Sequence, residues 1–186
     1  KGNITAYASY IIQNPILQGN RDYSTCTLSS GAAFTCGGSG TAVPALFGSY
    51  IVDPTGPGNT FRLRNSATDV YNYGPTNYYQ RPDERYNLGA FAHYDLSDWA
   101  TAYMDVMFMD DRSVAQIAPG GVFAGAYGVN CDNPLMTTAQ QTQLCGADAG
   151  SAVIKTLTVA RRNVEGGPRR SDIRHSAYRI VLGLKL

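Results

Sequence analysis

The chain has 186 residues, 16% of them charged, with a net charge of +1, 20 glycines and 13 tyrosines. That length holds one domain with a real core, while low charge with many aromatics argues against a disordered chain and leaves no basic field for nucleic acid. No run approaches the roughly 18 apolar residues of a helical span, and the first residues lack a basic start, an apolar stretch and a cleavage site; any secretion would be directed by sequence outside this stretch.

Residues 2–13 form the first expected strand. Ile4, Ala6, Ala8, Tyr10 and Ile12 alternate with Thr5, Tyr7, Ser9, Ile11 and Gln13, and both rows are apolar enough to leave the register open. Residues 14–82 then read as a long connection rich in Gly, Pro, Ser and Asn, with a turn-rich run from Asp53 to Gly58. Leu46 to Val52 and Thr60 to Arg64 are strand-like pieces expected to make a hairpin within it. The Gly37 to Gly40 run has no following Lys, so it is not a phosphate loop.

The stretch from Tyr86 to Phe108 reads as two membrane-crossing strands, residues 84–96 and 99–112, joined by a turn at Ser97 and Asp98. Leu88, Ala90, Ala92, Tyr94 and Leu96 form the expected lipid-facing row of the first arm, and Ala102, Met104, Val106 and Phe108 that of the second. The alternate rows are mixed, which is the period-two signature of a barrel wall. Tyr94 and Trp99 sit where amphipathic rings prefer the boundary of hydrocarbon and water.

Residues 113–170 are a second long connection, in which Asn133 and Pro134 suit the cap and first position of a short helix through Leu144. The chain then closes on residues 171–186, where Tyr178, Ile180, Leu182, Leu184 and Leu186 alternate with Ala177, Arg179, Val181, Gly183 and Lys185. A register shift of one would set Arg179 and Lys185 against lipid at roughly 2 to 4 kcal/mol each near the midplane, so the apolar row faces outward. A short turn on one side and two long connections on the other is the topology of outer-membrane barrels.

Four cysteines fall as local pairs, Cys26 with Cys36 and Cys131 with Cys145, each inside a small-residue segment. Even, local pairing in loops points to two disulfides and an oxidising compartment; the alternative, zinc, lacks knuckle spacing. No catalytic or metal site is expected and no cofactor: Asp110 and Asp111 lack a partner at diagnostic spacing, His93 and His175 read as wall residues, and no Gly-x-Ser-x-Gly occurs. Candidate ligand contacts are Asp110, Asp111, the flat tyrosines Tyr71, Tyr73, Tyr78 and Tyr79, and Arg161 and Arg162, which open an arginine-rich segment. The competing expectation for those arginines is an ion-pair network with Glu165, Asp172, Asp110 and Asp111.

Particular segments go beyond a generic pattern. The stretches Asn77-Tyr78-Tyr79-Gln80-Arg81-Pro82-Asp83-Glu84-Arg85-Tyr86, Gly89-Ala90-Phe91-Ala92-His93-Tyr94, Phe108 to Pro119, Cys131-Asp132-Asn133-Pro134-Leu135 and Arg161 to Gly167 resemble the barrel of TonB-dependent receptors of Gram-negative bacteria. The resemblance covers most of residues 70–186 and more loosely the first 70. It implies a 22-stranded outer-membrane barrel with extracellular loops, an N-terminal plug energised through TonB, and uptake of a nutrient. The plug and most strands are not in this sequence, so the expected partners are the remainder of the barrel, outer-membrane lipid and an unidentified nutrient, with the TonB system acting through the plug.

The fold class expected is therefore all-β, an antiparallel barrel segment of about four long strands with two disulfide-pinned loops, and no enzyme. A second reading is an extracellular structural or adhesive protein whose open strand edges assemble into an oligomer or fibre. A soluble all-β enzyme ranks last.

Overall fold

The computed structural model describes all residues except 31–32 and 57–59; the expected turn run from Asp53 to Gly58 lies partly outside the described residues. In chain order the strands are β1 (Gly2–Gln13), β2 (Ile16–Leu17), β3 (Thr27–Ser29), β4 (Thr35–Gly37), β5 (Leu46–Phe47), β6 (Tyr50–Val52), β7 (Phe61–Leu63), β8 (Tyr78–Gln80), β9 (Asp83–Ser97), β10 (Ala100–Ile117), β11 (Gly121–Asn130), β12 (Ile154–Arg162) and β13 (Arg169–Lys185). Among the described residues one α-helix, α1 (Thr138–Cys145), lies between β11 and β12. The chain divides into two compact units: residues 1–17, 78–116 and 170–186, and residues 18–77 and 117–169.

The first unit is a four-stranded sheet in the order β1-β9-β10-β13. β1 runs antiparallel to β9, with Ile4 opposite Ala92 and Tyr10 opposite Tyr86, and β10 runs antiparallel to β9, with Met104 opposite Ala92 and Phe108 opposite Leu88. β13 is antiparallel to β10, because its partners run backward along it: Arg170 meets Gln116, Asp172 meets Arg112, and Ser176 meets Asp110. Directly opposed residues share a face, so pairing with β9 settles the register that the sequence of β1 leaves open. Even-numbered residues of these strands stand on one face and odd-numbered residues on the other.

Two glycines fit this sheet closely. A Cβ on Gly89 would run into the ring of Tyr7, and one on Gly183 into the ring of Tyr103. Both tyrosines therefore cover backbone on the odd face, as cross-strand rings do over a strand glycine. The tight turn between β9 and β10 is centred on Asp98 and Trp99, one residue later than the sequence pattern places it.

The second unit is where sequence and structure differ most. The two expected loops, residues 14–82 and 113–170, contribute a five-stranded antiparallel sheet in the order β11-β12-β5-β6-β7. The 46–52 and 60–64 pieces do pair, β6 running antiparallel to β7, and they extend through β5 into this larger sheet. Its core is small, with Ile51 2%, Ala160 1% and Leu46 8% exposed. β11 carries a bulge between Val122 and Gly125, and there Ala124 takes φ 44°, a left-handed conformation that costs an L-residue about 1–2 kcal/mol.

The disulfides Cys26–Cys36 and Cys131–Cys145 are both present, with Cα separations of 5.5 and 5.8 Å. The second ties the end of β11 to the last residue of α1. That helix begins later than Asn133 and Pro134 suggest: Thr137 is its cap, accepting from the Gln140 amide, while the Gln140 side chain accepts from the Thr137 amide. This reciprocal pair satisfies two of the free amides of the first turn, whereas Asn133 folds back on Leu135 to make a turn.

Candidate functional site

The even face of the four-stranded sheet carries a continuous apolar band. Ile4, Ala6 and Ala8 of β1 lie beside Leu88, Ala90 and Ala92 of β9, then Met104, Val106 and Phe108 of β10, then Tyr178, Ile180 and Leu182 of β13. Its large side chains are exposed, Leu182 to 70% and Tyr178 to 83%. Single exposed apolar residues are ordinary, but a contiguous apolar band across four strands marks a surface that meets an apolar partner or medium.

The band has ordered edges. At one end the Tyr10 and Tyr86 rings stack at 4.7 Å, and both hydroxyls donate to Glu84 Oε1, at 2.8 and 2.9 Å. From that level on the same face becomes ionic, with Asp110 directly opposite Tyr86 and Arg112 opposite Glu84. Arg112 pairs with Asp172, Arg174 lies 3.2 Å from Asp110, and the Ser176 hydroxyl donates to Asp110 at 2.6 Å. At the other end stand Tyr94 and, in the turn, Trp99, which is 73% exposed. Eight residues separate the Tyr86 and Tyr94 rows, a rise of about 26 Å along the strand and about 20 Å once tilted, close to the height of a barrel's apolar belt.

The odd face is chemically different. Asn87 donates to Ser9 at 3.0 Å, Thr101 to Asp95 at 3.0 Å, and Arg85 to Asp111 at 3.2 Å, with Asp83 3.4 Å away. His93 and His175 stand on this face, apart along the strands. Neighbours in sequence thus part: Asp110 belongs to the ionic rim of the even face and Asp111 to the odd face, so they are not a paired carboxylate site. Among the described residues no cluster of three or more His, Cys, Asp or Glu is placed to hold a metal ion.

The remaining candidate residues are dispersed. Tyr78 and Tyr79 lie on β8 in the first unit, Tyr78 opposite Leu17. Tyr71 and Tyr73 belong to the second unit, where Tyr71 bridges Ser39 and the Tyr73 carbonyl accepts from the Thr76 and Asn77 amides. Arg161 is half-buried and pairs with Glu165, whose carboxyl it holds below the usual range. Its neighbour Arg162 is 3% exposed and is engaged inside the fold. Nε donates to the Thr41 carbonyl at 3.2 Å, one terminal nitrogen to the Pro119 carbonyl at 2.9 Å and the other to Ser39 Oγ at 2.7 Å.

The Tyr71 and Phe123 rings each lie 5.0 Å from the Arg162 guanidinium, and burial pushes its pKa down. Arg162 is accordingly a structural centre of the second unit, joining three chain segments. Sequence reasoning also missed the ion pair of Arg62 and Asp69, in which the guanidinium holds the Asp69 carboxyl down to about 2. The expected ionic network exists as separate pairs, with Arg112 rather than the late arginines serving Asp172, and Arg85 serving Asp111.

No protein-family model, curated protein or solved structure matches this chain.

Proposed function

We propose that the four-stranded sheet is a section of a β-barrel wall in the outer membrane of a Gram-negative bacterium, with the even face in lipid and the odd face toward the lumen. The observation that carries this is the apolar band with its rings at both ends and its ionic rim at the level of Tyr86 and Glu84. Hydrocarbon is the one medium that favours such a band without protein over it, and rings at the band's edges suit the lipid boundary.

The outer strands β1 and β13 present open edges, and four strands are too few to close a barrel. The parent is accordingly a larger barrel of the TonB-dependent receptor kind, as the resemblance of residues 70–186 implies. In it this section forms wall, and the disulfide-bonded second unit forms a ligand-gathering surface outside the cell. Energised uptake belongs to a plug supplied elsewhere in the parent. The test is complementation: a cell lacking the parent receptor regains uptake with the full-length gene and not with residues 1–186 alone. Normal growth on a scarce nutrient with this section alone would refute the proposal.

The open edges of β1 and β13 also favour a second reading, self-assembly through edge pairing into an extracellular oligomer or fibre. Detergent separates the two. A wall section needs amphiphile to remain dispersed, whereas a fibre-former builds ordered assemblies in plain buffer.

A further inference from the structure

The odd face ends in a polar concavity of about 820 Å3, built where all four long strands and β8 come together. We propose that this concavity binds a neutral oligosaccharide. The inference rests on the wall reading above, since it is lipid on the even face that leaves the odd face open to solute.

The charge arithmetic excludes a strongly ionic ligand. Arg81 and Arg85 offset Asp83 and Asp111, and Arg85 is already shared between the two carboxylates at 3.4 and 3.2 Å. An anion would have to pull Arg85 from both acids, and a cation would have to compete with it. A ligand bearing many hydroxyls uses such a site without displacing anything, because each hydroxyl both donates and accepts.

The donors and acceptors are in place. Gln13 and Gln80 each spend an amide N–H on a backbone carbonyl, Arg81 and Asn14 respectively, at 2.9 Å, which fixes the side chains and leaves their oxygens as acceptors. Arg85 stands among them with its side chain 38% exposed, which leaves part of its guanidinium at the surface of the concavity as a charged donor. Apolar surface completes the match: Tyr79 is 56% exposed, and Ile11 and Ile173 stand beside the polar groups. A sugar ring has a hydroxylated rim and an apolar C–H face, and a volume of this order suits a short oligosaccharide.

The experiment uses the full chain folded in detergent micelles, titrated calorimetrically with neutral tetrasaccharides of glucose, xylose, mannose and galactose, and with citrate and spermidine as charged controls. At least one tetrasaccharide should saturate and neither control should. Tyr79→Ala and Asp111→Asn should each weaken binding about tenfold, Tyr79→Phe should retain it, and Tyr94→Ala on the opposite face should leave it unchanged. The proposal is overturned if no tetrasaccharide saturates while circular dichroism shows the sheet intact, if citrate binds in its place, or if Tyr79→Ala and Asp111→Asn bind undiminished. A nitroxide at Leu182 in the same micelles reports contact with amphiphile separately, so loss of the wall reading and loss of this site give different results.

Discussion

Asp110 and Asp111 are consecutive in the chain and belong to different surfaces. Asp110 accepts from Ser176 at 2.6 Å on the rim of the apolar face, while Asp111 accepts from Arg85 at 3.2 Å on the mixed odd face. One residue of displacement along a strand exchanges one environment for the other, and this gives the account its sharpest consequences.

Val106 and Met107 repeat that relationship in the middle of the band. Val106→Arg places a charge in hydrocarbon and should cost about 2 to 4 kcal/mol of folding free energy into bilayers, whereas Met107→Arg, on the odd face, should cost under about 1 kcal/mol. Urea titration of the two variants in the same lipid measures the difference. Equal costs would mean the two faces meet the same solvent.

Arg162 and Arg161 form a second contrasting pair. Removing the Arg162 side chain leaves the Thr41 and Pro119 carbonyls without a donor and two rings without their cation, so Arg162→Ala should destabilise the second unit by roughly 2 to 4 kcal/mol. Arg161→Ala loses an exposed pair with Glu165 and should change stability by less than about 1 kcal/mol. Denaturant unfolding followed by tyrosine fluorescence reads both.

The Cys131–Cys145 bridge, closing a sequence separation of 14, should contribute about 3 kcal/mol. Its removal as the double Ser variant should raise amide exchange first in α1, whose last residue it holds. Exchange rising equally throughout the chain would show that the bridge does not act on the helix.

Asp69 gives the pH dependence. Its carboxyl lies at about 2 when folded against 3.8 as the ordinary value, lowered chiefly by hydrogen bonding to Arg62. A depressed carboxyl stabilises fully above the unfolded pKa, so the contribution is complete above about pH 4 and is lost as pH falls toward 2. Acid titration of stability should therefore show a step in that window which Asp69→Asn abolishes.

The long strands were legible because they are repetitive. From Leu88 to Leu96 and from Tyr178 to Leu186 the apolar row never misses a place, and a strand that meets an apolar medium on one side needs such regularity. β11 and β12 carry no comparable signal. Gly121, Gly125 and Gly128 thin the pattern of β11, its bulge at Phe123 and Ala124 breaks the alternation, and β12 finds its partners in β11 and in β5, more than 100 residues away in sequence. Arg162 was misplaced among ligand contacts for a related reason: a guanidinium at a strand end is ordinarily solvated, and the carbonyls that enclose this one come from positions 41 and 119. The helix start shifted because Thr137 with Gln140 makes a reciprocal cap, which Asn133 and Pro134 do not. Asp110 and Asp111 needed only strict period two to be assigned to opposite faces.

The most direct measurement is the accessibility of nitroxides placed singly at Leu88, Val106 and Leu182, and at Asn87, Met107 and Val181 as their odd-face neighbours, in lipid bilayers. The account predicts that the first three collide with oxygen dissolved in the acyl region more than with a water-soluble nickel chelate, and that the second three show the reverse. Water contact at Leu88, Val106 and Leu182 would contradict it.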